Sequence, residues 1–422
     1  MAGAAGLAKH GRPRRAVVFS GGGARGAYEA GVARFLVQEL PKRLGHPVEF
    51  DILCGTSVGA IHACYLAATA HLGEDRALRL VEFWTSMRLE EVLPLSARDL
   101  LGLPGRLLGL RRTADAIRSG AAPERIYGVL NTKPLENLVL RSVPWRRIRH
   151  NVKEGRVHAV CVAATQIATG QVVAFLEGGE VHESRWLRDP NLVPRQVHLR
   201  PTHALASAAI PVLFPAVRVG RTYYADGGLR LNTPLAPAIR LGADRVLVVA
   251  LRRGGHEAHE EALARHRVED YANPVYLFGK VLNALLLDPI DTDLARMHLT
   301  NEILEDGEKV FGDDFLPRLN SMARRGQRHP FKKIHDVVIR PSTDLGLLAS
   351  QALEGANAGS LRSPLLRLAA RSASGEGSSH EADLLSYLLF DRAYVGPLVE
   401  LGFRDAGAQE EELCRFFSDD PF

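Results

Sequence analysis

The residues Gly55-Thr56-Ser57-Val58-Gly59 constrain this chain more than any other stretch. An apolar run from Phe50 to Cys54, suited to a buried strand, stops at Gly55. One serine follows between two glycines, and an apolar segment of helical character then continues to about Thr69. A strand, a sharp turn and a helix form the setting in which a G-x-S-x-G serine becomes a nucleophile elbow. The turn strains the serine backbone, and the glycines remove side chains that would clash there. The hydroxyl then stands at the carboxyl end of a sheet, beside a helix N-terminus that favours negative charge. The five-residue pattern alone is weak, so the rest of the chain has to decide what this serine does.

A second glycine-rich turn lies upstream. Ala16-Val17-Val18-Phe19-Ser20 reads as a first buried strand, followed at once by Gly21-Gly22-Gly23-Ala24-Arg25-Gly26. A helix up to Leu40 comes next, with Pro41 as its expected stop. The glycines fit the dinucleotide pattern G-x-G-x-x-G, but the acidic residue expected about 20 positions on is not evident. The lysine and hydroxyl of a phosphate-binding P-loop are also missing. Exposed backbone N–H groups at a helix N-terminus hold any anion, including the oxyanion of an acyl-transfer intermediate.

The order strand, helix, strand, helix predicts a parallel sheet with right-handed crossovers. Downstream, Arg156–Thr165 and Gln171–Leu176 read as strands, and Glu124–Arg141 as a helix, with Asn131 or Thr132 as the N-cap before Lys133-Pro134 if the helix restarts there. His203–Ala209 and Leu235–Leu241 read as helices. Between them Tyr223-Tyr224-Ala225-Asp226-Gly227-Gly228 sets an aspartate at a strand end on a glycine turn. Arg245–Leu251 and Asp336–Arg340 are further strands, and Val275–Leu287 and Ile290–Leu304 further helices. The Leu-, Gly- and Arg-rich stretch over 91–123 suits a lid or short helix pair. We expect a disordered tail over 1–15, one main domain over 16–345 and a helical extension over 346–422, interrupted by a flexible segment at 371–380.

With 422 residues, 46% of them hydrophobic and 24% charged, the chain has an ordinary soluble composition. The net charge of +5 is too weak and too dispersed for a nucleic-acid protein. Basic clusters such as Arg146-Arg147-Ile148-Arg149-His150 read first as solvated faces and second as a match for an anionic membrane surface. No stretch of about 18 apolar residues exists, and the N-terminus lacks the apolar core of a classical signal peptide. The expected place is therefore the cytoplasm or the inner face of a membrane, with lipid contact peripheral. Cys54, Cys64, Cys161 and Cys414 show neither a disulfide nor a zinc spacing. His256, His259 and His266 have no partner cluster in the sequence, so no metal site is expected.

The glycine loop, the serine elbow and the aspartate turn, in that order, resemble the patatin-like phospholipase family over roughly residues 16–345. The run Ala206-Ser207-Ala208-Ala209-Ile210-Pro211-Val212-Leu213-Phe214-Pro215 before the aspartate strengthens the resemblance. One departure is Ser20, which stands where the family's loop usually begins with an aspartate. The resemblance implies a three-layer α/β/α sandwich with a mostly parallel central sheet. It also implies a Ser57–Asp226 dyad in place of a triad. Gly21, Gly22, Gly23, Ala24, Arg25 and Gly26 would then form the oxyanion loop, with Arg25 also fixing the loop or meeting a lipid phosphate. Gly55, Thr56, Val58 and Gly59 would shape the elbow, and Gly227 and Gly228 the aspartate turn.

The histidines agree with a dyad. His298, His329, His335 and His380 follow Asp226, but none lies just beyond a clear strand, and His62 would point away from the serine hydroxyl. His335 is the best spare candidate. The expected activity is lipid acyl-ester hydrolysis of the phospholipase A type, with no metal or organic cofactor. A thioesterase, a triglyceride lipase and a partner-regulated lipid-binding module remain open as alternatives. Oligomeric state is not legible.

Overall fold

The computed structural model describes residues 12–88, 125–126, 130–181, 186, 189–211, 213–254, 290–325, 330–355 and 386–419. The expected lid, the three-histidine run, the helix over Val275–Leu287, the segment 371–380 and all but the end of the N-terminal tail lie outside these residues.

The opening β-branched run forms β1 (Arg15–Phe19), buried throughout. Beyond the glycine loop comes α1 (Ala27–Arg34), and the helix does not stop at Pro41. A wider π-helical turn over Phe35–Glu39 carries it into α2 (Leu40–Leu44), which holds Pro41 in its first turn and ends on Gly45 in the left-handed region. Proline lacks an N–H and collides with the carbonyl four residues back. At the start of a fresh turn neither demand arises, so the path of the helix is kept.

Next come β2 (Ile52–Thr56), α3 (Val58–Ala68) and α4 (Asp75–Ser86). The helix read from Glu124 is a correction: β3 (Arg125–Ile126) stands there, and α5 (Lys133–Ser142) begins only at Lys133-Pro134 with Thr132 as its cap. Pro134 is tolerated in a first helical turn and not farther in, which fixes that start. After α6 (Arg146–Lys153) run β4 (Ala159–Gln166), β5 (Val172–Gly178) and β6 (Leu192–Gln196). β6 has no counterpart among the expected strands, and Pro194 within it is unsuited to a central strand. Among the described residues it sits at a sheet edge and pairs with β5 alone, where a missing N–H is harmless.

The remaining elements are α7 (Pro201–Ser207), β7 (Ala216–Val219), β8 (Thr222–Asp226), α8 (Leu235–Arg240) and β9 (Arg245–Val249). They are followed by α9 (Ile290–Phe311), α10 (Phe315–Arg325), β10 (His335–Ile339), α11 (Leu345–Gly355), α12 (Arg392–Ala408) and α13 (Glu410–Phe417).

One sheet runs β10-β9-β1-β2-β4-β8-β7-β3, and its β10-to-β4 half is all parallel. Alternate residues of its strands enter different cores. Val17, Phe19 and Leu53 face one cluster, and Ala16, Val18, Ile52 and Cys54 face the other. A sheet buried on both faces is the middle of three layers, so the α/β/α sandwich with a mostly parallel sheet and a helical C-terminal region is the observed fold.

The junction at β4 positions the site. One edge of β4 pairs antiparallel with β5 from Ala159 to Thr165. The other edge is shared end to end. There β2 pairs in parallel with Ala159–Ala163, and β8 arrives antiparallel on Ala164–Gln166. Thr56 thus lies opposite Ala163, and Asp226 opposite Ala164. The two strands meet head-on, one register step apart.

The C-terminal helices join the main core. Leu398, Val399, Phe416 and Phe417 belong to the same buried cluster as Val17. α12 crosses α1 where Gly31 faces the Val399 carbonyl and Gly402 faces the Tyr28 carbonyl, so a Cβ at either glycine would overlap backbone. Buried Arg245 donates to the carbonyls of Arg415 (3.0 Å) and Phe416 (2.8 Å), satisfying acceptors at the end of α13.

Candidate active site

Ser57 is the one non-glycine residue with a positive φ among the described residues, at φ 54° and ψ −124°. Such a backbone costs on the order of 1–3 kcal/mol and persists only where its surroundings hold it. Gly59 permits one part of that hold, since a Cβ there would stand 2.6 Å from the carbonyl oxygens of Phe19 and Ser20. Ser207 supplies another. The Ser57 N–H donates to Ser207 Oγ at 2.8 Å, and Ser207 Oγ donates to the Ala163 carbonyl at 2.5 Å. The serine's own amide is therefore taken and does not face the hydroxyl's side as a free donor. Ser207 lies in the alanine-rich run already noted in the sequence, where nothing marks it as the partner of an amide 150 residues away.

Asp226 ends β8 and is buried at 1% exposure. Its Oδ1 accepts the Gly228 N–H at 2.7 Å, while Oδ2 is buried without a hydrogen-bond partner. Burial pushes the carboxyl up to about 7, against the opposing pull of the Gly228 N–H and the Ser57 hydroxyl. Its backbone is clamped by its N–H to Ala209 O (2.8 Å) and by Thr165 Oγ1 to its carbonyl (2.9 Å). Gly227 faces Ala163 O, and a Cβ there would come within 2.8 Å of Thr56 Cγ2. The aspartate turn and the serine elbow are in contact.

The glycine loop closes the third side. A Cβ on Gly21 would lie 3.1 Å from Ser57 Cβ. Gly23 takes φ +56° and faces the Tyr387 carbonyl, which only a glycine allows. No acceptor among the described residues takes the N–H of Gly22 or Gly23. The loop is pinned by Asn232, which sequence reasoning missed. The Gly21 N–H donates to Asn232 O (3.2 Å), and Asn232 Nδ2 donates to Gly21 O (3.1 Å). Beside it Ser20 Oγ and Thr233 Oγ1 are 2.8 Å apart, and Thr56 Oγ1 donates to Leu231 O at 2.8 Å. The residues just past the aspartate turn thus tie the glycine loop to the elbow strand. Their only trace in the sequence is the short spacing from Asp226.

Arg25 is held by the C-terminal segment. It is 3% exposed, donates from Nε to Ser386 Oγ at 2.7 Å and stacks its guanidinium over Tyr387, 4.2 Å from the ring centroid. Of its expected roles, the geometry fits fixing the loop, and a phosphate contact is closed off by burial.

Above Ser57 opens an apolar pocket. Its wall includes Ile61 of α3, Trp84 of α4, Leu135 and Val139 of α5, Phe214, and Phe390 from the C-terminal segment. His62 also lines it, and both of its nitrogens are engaged. Trp84 Nε1 donates to Nε2 at 2.9 Å, so the ring's proton sits on Nδ1, 2.7 Å from Glu29 Oε2. Burial lowers this imidazole to about 3 and keeps it neutral. His335 opens β10 opposite Arg245, at the amino end of the parallel strands, whereas Ser57 follows their carboxyl end. His298 pairs with Asp336 at 2.8 Å.

The sequence model of patatin-like phospholipases matches residues 17–239, a span that contains the glycine loop, the elbow and the aspartate turn. The chain belongs to the patatin-like phospholipase family. Over 220 residues it is 31% identical to a cGAMP-activated phospholipase of Pseudomonas aeruginosa strain BWHPSA011 / Pa011, covering 52% of this chain and 53% of that one. This patatin-like chain therefore spans about half the length of the curated relative it matches. Among solved structures it is similar to VipD from Legionella pneumophila at 17% identity and a TM-score of 0.29, over 89% of this chain and 67% of that one. It is also similar to human GIVD cytosolic phospholipase A2 in complex with methyl γ-linolenyl fluorophosphonate, at 14% identity and a TM-score of 0.38, over 96% and 58% of the two chains. No helix among the described residues is long and apolar enough to cross a membrane.

Proposed function

We propose that this protein hydrolyses carboxylic esters of phospholipids or related acyl lipids, with Ser57 as nucleophile and Asp226 as its base. The observation that carries this reading is the head-on meeting of β2 and β8 along β4. It sets a strained serine against a buried carboxyl whose second oxygen is unpartnered. In this scheme Ser57 Oγ attacks the ester carbonyl while Asp226 takes its proton. A carboxylate in water, with a pKa of about 3.9, is a poor base for an alcohol. Desolvation lifts Asp226 to about 7 and brings it nearer its task. The tetrahedral oxyanion accepts from the Gly22 and Gly23 N–H groups, and the acyl chain lies in the apolar pocket. Collapse expels the alcohol, which recovers the proton from Asp226. Water, activated by the same carboxylate, then frees the acid. No step uses a metal or an organic cofactor.

Ser57→Ala and Asp226→Asn should each lower hydrolysis of a p-nitrophenyl acyl ester by at least about a thousandfold without changing the melting temperature by more than a few degrees. Full activity in Asp226→Asn would sink the dyad. A panel of phospholipids, triglycerides and acyl thioesters with product mass spectrometry separates the phospholipase from the lipase and the thioesterase. The assay is run with and without cGAMP, because the relative is named for its activation by it. Failure of Ser57 to label with a fluorophosphonate under both conditions would favour a lipid-binding module without turnover.

A further inference from the structure

Several cations in the described part of the molecule have counter-charges. Arg12 pairs with Glu49 and Asp51, Arg34 with Glu400, Arg43 with Glu410, and Lys332 with Asp244. The helix α6 instead gathers its cations on one face. Its exposed side chains Arg146, Arg149, His150 and Lys153 recur at helical spacing along one outer face, with Arg147 beside them. The opposite face is anchored. Ile148 and Asn151 are buried, and Asn151 Nδ2 donates to the carbonyls of Ala67 (2.7 Å) and Ala68 (3.0 Å). Exposed Arg141 and Arg156 flank the helix.

Among the described residues, none of these cations forms an ion pair, and Glu154 is the one carboxylate of the stretch. Like charges four residues apart repel, so this arrangement lowers the stability of the isolated helix and suits a partner that supplies negative charge. The field reaches His71, whose imidazole is lowered first by burial and then by Arg147, Arg156 and His150. Only Val143–Trp145 separate α6 from α5. The inner face of α5 puts Leu135 and Val139 into the wall of the pocket above Ser57, and its outer face leaves Leu140 47% exposed.

We propose that α5 and α6 form the surface by which this protein docks on anionic lipid, with Arg146, Arg149 and Lys153 at head-group phosphates and Leu140 at the acyl boundary. The choice of a lipid surface over a nucleic acid rests on the hydrolase reading, because α5, which lines the apolar pocket, leads directly into the cationic helix α6. Each Lys or Arg held near an anionic membrane contributes about 1 kcal/mol, which is about fivefold in partitioning.

The test is co-sedimentation of the full-length Ser57→Ala protein with vesicles of phosphatidylcholine alone and of phosphatidylcholine mixed with phosphatidylglycerol. Binding should favour the mixed vesicles and fall as salt rises. The triple variant R146Q/R149Q/K153Q should lose about a hundredfold of that preference, at about fivefold per charge. In a background that keeps Ser57, the same three changes should leave hydrolysis of a soluble p-nitrophenyl ester unchanged. Equal binding to both vesicles, salt-independent binding, or unchanged binding by the triple variant would overturn the proposal, as would tighter capture of duplex DNA than of the mixed vesicles. If the triple variant does not fold, the salt series on the parent and the single variant R149Q decide by the same criteria. Preferential binding to mixed vesicles by a protein that hydrolyses no ester would defeat the hydrolase reading and leave the docking surface standing.

Discussion

Asp226 concentrates the chemistry that a single residue decides. Its carboxyl rises from 3.8 to about 7 because folding removes it from water, and the proposed base works only when ionised. We therefore expect kcat/KM on a soluble ester to climb with pH through a midpoint near 7, measured where the fold is intact. The same shift has a stability consequence of definite sign. A carboxyl whose folded pKa is raised stabilises the fold fully below its unfolded value, and that contribution is lost as pH rises through the folded value. Wild type should lose stability relative to Asp226→Asn as pH rises from about 4 to 7, and urea melts at those two pH values measure it. Ser207 makes a different single-residue case. Ser207→Ala leaves the buried Ser57 N–H without its acceptor, which should cost about 1–3 kcal/mol in urea melts and lower kcat through a misplaced elbow. His62 illustrates a limit of reading residues one at a time. The sequence points it away from the serine; in the fold it lines the serine's pocket but spends both nitrogens on Trp84 and Glu29.

At the scale of elements, close packing of helices carries more of the architecture than the motifs imply. α1 and α12 approach until Gly31 and Gly402 meet backbone carbonyls. Gly402→Val should therefore cost about 1–3 kcal/mol, as overpacking does, read as a drop in urea midpoint with an unchanged slope. α1 also carries Glu29 against His62 and follows directly from the glycine loop, so a shift of α12 would be felt near Ser57. Several elements were legible because their demands are local. β1, β2 and β9 show uninterrupted β-branched or apolar runs, and each is buried on both faces. Others were hidden by proline. Pro41 suggested a stop that a π-helical turn avoids, and Pro194 disguised an edge strand.

Over the whole molecule, the C-terminal helices bind the sheet to the pocket. Tyr387 lies against the glycine loop, Phe390 lines the pocket, and Phe416 and Phe417 fill the core. Nothing in those residues' own neighbourhoods announces this, because a helical tail with an apolar face can pack against many surfaces. Other features were written in the sequence. A serine between glycines on a strand–helix turn, a glycine loop after a buried strand and an aspartate on a glycine turn each state a local backbone requirement that few residue types satisfy. Which segments meet was decided only in three dimensions. β8 turns antiparallel onto the edge of β4 that β2 vacates, and that register brings Asp226 to Ser57. The same packing sends Arg25 inward to Tyr387, and it places Asn232 and Ser207 where their hydrogen bonds hold the loop and the elbow. Local conformation is set by the residue that must adopt it. Pairing between distant segments is set by strand register and by which faces must be buried, and those are properties of the assembled sheet.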